Sequence, residues 1–138
     1  MDLSKLPSPF YRVTTRAIIL TPGNKLVLAL DENGELQVPG GGWENSESLE
    51  ECLKREVKEE LGVGVAKIGP VLFMYRQLDR KGYMSLRIAI KVTPDSYEFT
   101  AGDDMVDIKL VSKDELPNLK LNPGEGPIHE YVDTIWSD

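Results

Sequence analysis

Residues 41–63 read GGWENSESLEECLKREVKEELGV, and this stretch concentrates acidic side chains to an unusual degree. Seven of the 23 acidic residues of the chain lie between Glu44 and Glu60. Three of them, Glu56, Glu59 and Glu60, form what we call the acid cluster. At positions i, i+3 and i+4 of a helix their side chains share one side, so their like charges repel each other. The stretch therefore needs a source of compensating positive charge.

Local signals predict that most of this stretch is a helix. Ser48 and Glu51 have the spacing of a capping box, which places the first helical residue near Leu49. Gly62 is the type of residue that ends a helix. Apolar residues at three- and four-residue spacing form one stripe along its length: Leu49, Cys52, Leu53, Val57 and Leu61. The acid cluster lies at the edge of that stripe.

The charges of this helix have two explanations. A solvated face with i,i+4 ion pairs accounts for Glu50 with Lys54 and for Glu51 with Arg55. It accounts less well for the acid cluster, which lies beside apolar residues and directly follows a glycine-rich turn. A hard divalent cation such as Mg²⁺ binds carboxylate oxygens and would remove the repulsion among them.

The glycine-rich turn consists of Gly40, Gly41 and Gly42. Glycine lets the backbone adopt unusual conformations and approach a ligand closely. The turn lacks the Gly-Lys-Ser/Thr that completes a phosphate-binding loop, and it lacks the fingerprint of a dinucleotide site. By itself the turn is a weak signal.

Length and composition limit the class of protein. A chain of 138 residues suits one domain, 1–138, and the net charge of −7 argues against binding nucleic acid polymers or anionic membranes. A small anionic substrate stays possible, because a bound cation inverts the local field. Cys52, the single cysteine, excludes an internal disulfide. Residues 1–10 lack the apolar core of a signal peptide, and no apolar run is long enough to span a bilayer, so we expect a soluble, cytoplasmic protein.

The rest of the chain alternates predicted strands with two helices. Residues 1–10 are expected to be a lead-in segment. Ser112 and Glu115 form a second capping box, before a short helix stopped by Pro117, and a last helix over 127–136 is expected to have Pro127 in its first turn. The strands are predicted at 11–20, 25–30, 36–38, 65–78, 83–92 and 106–111. This order predicts an α/β arrangement with a mixed sheet covered by helices.

Residues 41–63 resemble the Nudix box, which is written Gly, five residues, Glu, seven residues, then Arg-Glu-aliphatic-any-Glu-Glu-any-Gly-aliphatic. Gly41, Glu47 and the segment from Arg55 to Val63 fill every specified position. The flanking Val-Pro-Gly-Gly and the later Asp-Glu-Leu-Pro agree with the family, so the resemblance extends over roughly residues 12–117. It implies a Nudix-type α/β/α sandwich.

The resemblance also implies a metal-dependent enzyme that hydrolyses the diphosphate linkage of a nucleoside diphosphate derivative. Carried over, the acid cluster supplies the ligands of Mg²⁺ or Mn²⁺. Glu47 either binds the metal or positions Arg55, and Arg55 orients the acids. Gly41 would supply a carbonyl oxygen or a tight turn at the metal.

The identity of the general base stays open. Glu59 and Glu60 are candidates within the box, because a carboxylate accepts the proton of the attacking water. In some relatives the base comes from a later loop, where Glu98, Asp103 and Asp104 are the candidates and Asp104 is our choice. A solvated or loop-capping role explains Asp103 and Asp104 equally well.

Markers of the family's substrate subgroups lie beyond the box, and none is present. The tyrosine of dinucleoside-polyphosphate hydrolases is missing, since Tyr75 and Tyr83 stand at the wrong distance past Val63. The proline of many ADP-ribose hydrolases is also missing, since Pro70 comes too early. We therefore expect a (d)NTP or a small nucleotide-sugar as substrate. The alternative is a nucleotide-binding module without turnover, and a homodimer is possible because relatives commonly form one.

A few other side chains are candidates for contacts with a ligand. Arginines on predicted strands would contact phosphate if they face the cleft, and alternation places Arg12, Thr14 and Arg16 on one face. Trp43 either stacks on a base or packs at the rim of the site. His129 is expected to lie on a polar surface. The strand arginines are Arg12, Arg16, Arg76 and Arg87.

Overall fold

The computed structural model of the chain describes residues 2, 5, 10–79 and 82–137, so most of the expected lead-in segment lies outside the described residues. None of the described helices is both long and apolar enough to cross a membrane. The elements follow in this order: β1 (Arg12–Ile18), β2 (Leu26–Asp31), β3 (Leu36–Gln37), β4 (Gly40–Gly42), α1 (Leu49–Leu61), β5 (Val65–Leu78), β6 (Met84–Pro94), β7 (Met105–Val111), two 3₁₀ helices (Leu116–Asn118 and Pro123–Tyr131) and α2 (Val132–Ile135).

The strands form two sheets. The larger sheet is mixed and has the order β4-β1-β6-β5, in which β1 and β6 are parallel and the other pairs are antiparallel. The smaller sheet has the order β3-β2-β7 and is antiparallel throughout. The predicted mixed sheet is present, whereas the second, antiparallel sheet was not predicted.

Strand β1 separates two hydrophobic clusters because its successive side chains point to opposite faces. Ala17 belongs to the cluster that contains Leu53 and Val57 of α1. Its neighbour Ile18 belongs to the cluster that contains Ile128 of the second 3₁₀ helix. Helices therefore cover both faces, which confirms the predicted α/β class. Full burial of each large apolar side chain of α1 stabilises this arrangement by about 1.5–3 kcal/mol.

Helix α1 has the predicted ends. The Ser48 hydroxyl accepts a hydrogen bond from the Glu51 amide at 3.1 Å, and the Glu51 carboxylate accepts one from the Ser48 amide at 3.0 Å. Gly62 closes the helix with a left-handed φ of 71°. The predicted Glu50–Lys54 ion pair is present at 3.6 Å. The predicted Glu51–Arg55 pair is wrong, because Glu51 is engaged in the cap.

Strand β4 is made of glycines and was not predicted as a strand. Gly40 pairs with Arg16 and Gly42 pairs with Thr14, so the glycine-rich turn forms an edge of the larger sheet. Gly40 has a φ of 152°, and a Cβ there would collide with the carbonyl of Thr15. Only glycine fits at this position, and its strand places the turn next to α1.

The C-terminal helices differ from the prediction. The last helical segment begins at Pro123, before the expected start, and Pro127 lies in the middle of a 3₁₀ helix. Its start is fixed by Asn122, whose side-chain oxygen accepts a hydrogen bond from the Gly124 amide at 2.9 Å. Pro117 likewise lies inside a 3₁₀ helix and does not stop it. Pro117 is the second residue of its helix, where a backbone N–H would have no intrahelical acceptor in any case. Pro127 stands inside its helix and removes one donor there.

Candidate active site

The acid cluster of α1 has two buried members and one exposed member. Glu56 and Glu60 are each 8% exposed, whereas the side chain of Glu59 is 41% exposed. Burial, with the nearby Glu56 carboxylate adding to it, raises the pKa of Glu60 to about 8. Burial also raises the pKa of Glu56, against the influence of Arg55. Two adjacent carboxylates with raised pKa values favour the approach of a cation.

Arg55 connects the acids with the residues before the helix. Its Nε and Nη2 atoms donate to the two oxygens of Glu47 at 3.0 and 2.7 Å. Its Nη1 donates to Oε1 of Glu56 at 2.7 Å and to Oε2 of Glu59 at 3.4 Å, and Nη2 also donates to the Gly42 carbonyl at 3.0 Å. These bonds to Arg55 lower the pKa of Glu47 to about 2. Arg55 therefore fixes the orientation of the box carboxylates.

The carboxylates of the acid cluster fit the chemistry of Mg²⁺, which prefers oxygen ligands. Burial raises the pKa of both Glu56 and Glu60, so a bound cation would offset the cost of charging them. In the described part of the chain, no three acidic, histidine or cysteine side chains surround a common point. Arg55 Nη1, which contacts both Glu56 and Glu59, lies between these two potential ligands.

Gly41 lies directly against Glu56. A Cβ at this position would overlap the Glu56 carboxylate, so glycine is the residue that lets β4 and α1 approach so closely. The amide of neighbouring Gly40 donates to Oε2 of Glu60 at 3.3 Å. The predicted proximity of the turn to the acids is therefore present, while a Gly41 carbonyl ligand stays a prediction.

A cavity of about 430 Å³ opens beside Glu60, which forms part of its wall. Three of the strand arginines line it, namely Arg12, Arg16 and Arg87. Thr14 also lines it, which confirms the predicted alternation along β1 and shows that this face is the one that meets the cleft. The fourth strand arginine, Arg76, instead donates to the Tyr11 hydroxyl at 3.0 Å.

The floor of this cavity carries a buried charge network. Arg16 and Arg87 lie 3.5 and 3.7 Å from Oε1 of Glu125, and the Tyr75 hydroxyl donates to its Oε2 at 3.2 Å. Two guanidinium groups thus face one carboxylate, and the floor is positive in a chain of net charge −7. Sequence reasoning missed Glu125, because nothing in its local sequence distinguishes it from a loop glutamate.

Several polar atoms of the floor have no hydrogen-bond partner among the described residues. They include the Nε atoms of Arg16 and Arg87 and the hydroxyls of Thr14 and Ser85. These atoms have almost no exposed surface, but the four side chains that carry them line the cavity, so their other atoms would meet a ligand with several acceptor oxygens. A phosphate or diphosphate is such a ligand, and guanidinium groups bind it strongly.

The loop that carries Asp103 and Asp104 lies near the end of α1. The Gly102 amide donates to the Glu60 carbonyl at 3.1 Å, which holds the loop against the helix. Both aspartates are exposed, and neither carboxylate has a described contact with the acid cluster. A catalytic role for Asp104 therefore stays a prediction.

Two side chains outside the site, His129 and Cys52, make contacts that hold parts of the fold together. His129 is half-buried at the surface, and its Nε2 lies 3.1 Å from the Leu116 carbonyl. This contact joins the two 3₁₀ helices. Cys52 is buried as expected, with Sγ 3.5 Å from the Thr15 hydroxyl.

Comparison with known proteins decides the family. The family model of the NUDIX domain matches residues 10–132. This chain belongs to the Nudix hydrolases. This Nudix hydrolase is 32% identical over 120 residues to the ADP-ribose pyrophosphatase of Methanocaldococcus jannaschii. The alignment covers 83% of this chain and 69% of that protein.

Two further comparisons agree with this family. An uncharacterized Nudix hydrolase of Bacillus subtilis, YvcI, is 28% identical over 123 residues, with 86% of this chain and 77% of that protein covered. The fold of this Nudix hydrolase is similar to that of the MutT protein from Methanosarcina mazei Go1. The TM-score is 0.81 at 19% identity, and the match covers 97% of this chain and 100% of that one.

Proposed function

We propose that this Nudix hydrolase cleaves the diphosphate linkage of a small nucleotide-sugar of the ADP-ribose type, with Mg²⁺ or Mn²⁺ held by the acid cluster. The observation that carries the proposal is the position of Glu60. It is buried beside Glu56 and also forms part of the wall of the arginine-lined cavity. A cation at these carboxylates would therefore meet a diphosphate bound by the arginines.

The side chains of the cavity bind and orient the substrate. Arg16 and Arg87 line the cavity with guanidinium groups for the diphosphate oxygens, and Thr14 and Ser85 line it beside them. Their positions on β1 and β6 are fixed by the sheet and by Glu125. Rigid binding of this kind lowers the entropic cost of reaching the reactive geometry.

The residues of the box supply the metal site and the base. Glu56, Glu59 and Glu60 would hold the metal, which when bound neutralises phosphate charge and lowers the pKa of a coordinated water. Glu59 or Glu60 accepts the proton as the water oxygen bonds to phosphorus and the bridging phosphorus–oxygen bond breaks. With ADP-ribose the products are AMP and ribose 5-phosphate. Arg55 positions these acids and does not itself touch the reacting atoms.

The relative from Methanocaldococcus jannaschii supports ADP-ribose among the two predicted substrate types, because ADP-ribose is a small nucleotide-sugar. The proline of many ADP-ribose hydrolases is missing from this chain, and its absence argues against ADP-ribose. A nucleoside triphosphate is therefore the second candidate, and the arginine-lined cavity suits its phosphates as well.

A product assay on a panel of nucleotides tests the proposal. The panel contains ADP-ribose, ADP-glucose, ATP and dGTP, each incubated with Mg²⁺ and analysed by anion-exchange chromatography. We expect AMP release from ADP-ribose, a large loss in Glu59→Gln and Glu60→Gln, and normal rates in the matched control Glu50→Gln on the same helix. No product from any member would overturn the proposal, and preferential cleavage of ATP or dGTP would replace the substrate by a triphosphate.

A further inference from the structure

Exposed aromatic side chains gather at one place on the described surface. Five aromatic residues are more than a third exposed, and Tyr97 is the one that stands apart. The other four line a single pocket of about 500 Å³, which we call the aromatic pocket: Phe10, Tyr11, Trp43 and Tyr83. Such clustering marks a binding site, because exposed aromatic groups scattered singly are the ordinary case.

The aromatic pocket adjoins the arginine-lined cavity. Arg12 lines both, and Trp43 directly follows Gly42 of the cavity wall. The two spaces offer different chemistry. The described lining of the cavity contains no aromatic ring and provides charges and hydrogen-bond donors, whereas the pocket provides ring faces. A nucleotide has the same two parts, a charged phosphate chain and a flat base.

Two rings of the aromatic pocket are held in place before any ligand arrives. The indole Nε1 of Trp43 donates to the Glu47 carbonyl at 2.8 Å, and its amide donates to the Val13 carbonyl at 3.0 Å. The Tyr11 hydroxyl accepts a hydrogen bond from Arg76 at 3.0 Å. Rings fixed in this way lose little conformational entropy when a ligand stacks on them.

We propose that the nucleobase of the substrate stacks on Trp43 in the aromatic pocket, outside the arginine-lined cavity, while Arg12 binds the adjoining phosphate. The proposal rests on the proposed function in so far as the substrate is a nucleotide. Stacking uses the π-face that every base has, so the site accepts adenine, guanine and pyrimidine bases with similar affinity. Specificity then comes from the group bound in the cavity.

Intrinsic fluorescence tests the stacking directly. The chain has two tryptophans, so Trp136→Phe leaves Trp43 as the sole reporter. Titration of this variant with AMP in the presence of Mg²⁺ should quench its emission in a saturable way. Ribose 5-phosphate, which lacks the base, should leave the emission unchanged. The titration requires no turnover.

Steady-state kinetics of pocket variants give the second readout. Trp43→Ala and Tyr83→Ala should each raise the KM for the nucleotide substrate about tenfold, the effect of one lost stacking ring, without lowering kcat. Trp43→Ala also removes the hydrogen bond from the indole to the Glu47 carbonyl. Tyr83 lies next to the β5–β6 turn, so Tyr83→Ala removes a ring without removing that bond. Trp43→Phe should keep most of the affinity. Tyr97→Ala, which removes an equally exposed ring elsewhere, is the matched control and should change neither constant.

The outcomes distinguish a failure of base stacking from a failure of the proposed function. Hydrolysis with unchanged KM in both pocket variants and no quenching by AMP would overturn this inference and leave the proposed function intact. Saturable quenching without hydrolysis of any nucleotide would support the pocket and overturn the proposed function. The wild-type protein could also be a dimer that Trp43→Ala and Tyr83→Ala dissociate, with Trp43 emission unchanged by AMP. That result would show that a second copy of the chain covers the pocket and would overturn the inference.

Discussion

Arg55 holds Glu47 through two side-by-side hydrogen bonds, from Nε to Oε2 at 3.0 Å and from Nη2 to Oε1 at 2.7 Å. Its third nitrogen, Nη1, donates to the buried Glu56 at 2.7 Å. One guanidinium thus links the loop before α1 to a carboxylate on α1. The planar fork of arginine is necessary for this link, because all three nitrogens are used in a fixed geometry.

Arg55→Lys should therefore reduce activity although it keeps the positive charge. A lysine ammonium cannot bridge Glu47 and Glu56 at once, and residues that orient metal ligands typically contribute roughly 10–100-fold to activity. We expect a fall of that size in kcat/KM with an unchanged circular dichroism spectrum. Lys54→Arg on the same helix serves as control, and wild-type kinetics in Arg55→Lys would show that the fork is dispensable.

The stability of the metal-free protein should fall as the pH rises from about 5 to about 8. Glu60 has a raised pKa in the folded protein, about 8, against an ordinary value near 4.5 when unfolded. Between these values the folded state binds more protons than the unfolded state, so raising the pH favours unfolding. Thermal unfolding in the presence of a chelator at several pH values measures this effect.

Glu60→Gln should flatten that pH dependence, because the amide does not titrate. Added Mg²⁺ should stabilise the wild-type protein, by about 2.7 kcal/mol at a free concentration of 100 times its Kd. The gain should grow with pH, since the cation competes with protons for the same carboxylates. An unfolding temperature that rises between pH 5 and 8 in the chelator would disagree with this account.

Gly41→Ala should disturb the acid cluster through a steric contact. The added methyl group would overlap the Glu56 carboxylate, so either the carboxylate or β4 has to move. Overpacking of this kind costs about 1–3 kcal/mol. We expect a loss of stability in urea unfolding together with a weaker thermal shift by Mg²⁺. Gly23→Ala is the control, because its methyl group would meet only a side-chain atom of Thr21 at 3.8 Å.

Glu125→Ala should destabilise the protein strongly. Glu125 is 1% exposed and is the shared partner of Arg16 and Arg87, so its loss leaves two buried guanidinium groups without their counter-charge. Breaking a buried pair in this way costs about 3–5 kcal/mol. Urea unfolding of this variant, compared with the exposed-site variant Glu98→Ala, provides the measurement. A difference below 1 kcal/mol would mean that Glu125 does not balance these charges.

The part of the site that sequence predicts is the part with local signals. The capping box of Ser48 and Glu51, the apolar stripe and the spacing of the acid cluster all lie within one helix, and short-range geometry decides them. Strand β4 escaped prediction because glycine has a low strand propensity, and its pairing with β1 is a tertiary contact. The helix expected over 127–136 begins earlier and is largely a 3₁₀ helix, because the start signal of Pro127 does not distinguish the two kinds of helix.

The floor of the cavity depends on contacts between distant segments. Glu125 meets Arg16 and Arg87 only after β1 and β6 have paired in parallel and the second 3₁₀ helix has packed beneath them. Alternation predicts that Arg16 and Thr14 share a face, but it cannot choose which face meets the cleft. The packing of α1 and the C-terminal helices makes that choice.

Hydrolysis should require a divalent cation held by the carboxylates of the acid cluster. The most direct measurement is the initial rate of cleavage of the best substrate of the panel, with Mg²⁺ and with a chelator, for wild type and for Glu60→Gln. We predict cleavage by the wild type that requires Mg²⁺, and a rate lower by roughly 100-fold or more in Glu60→Gln. Equal rates with Mg²⁺ and with the chelator, or a wild-type rate in Glu60→Gln, would show that hydrolysis does not depend on a cation at these carboxylates.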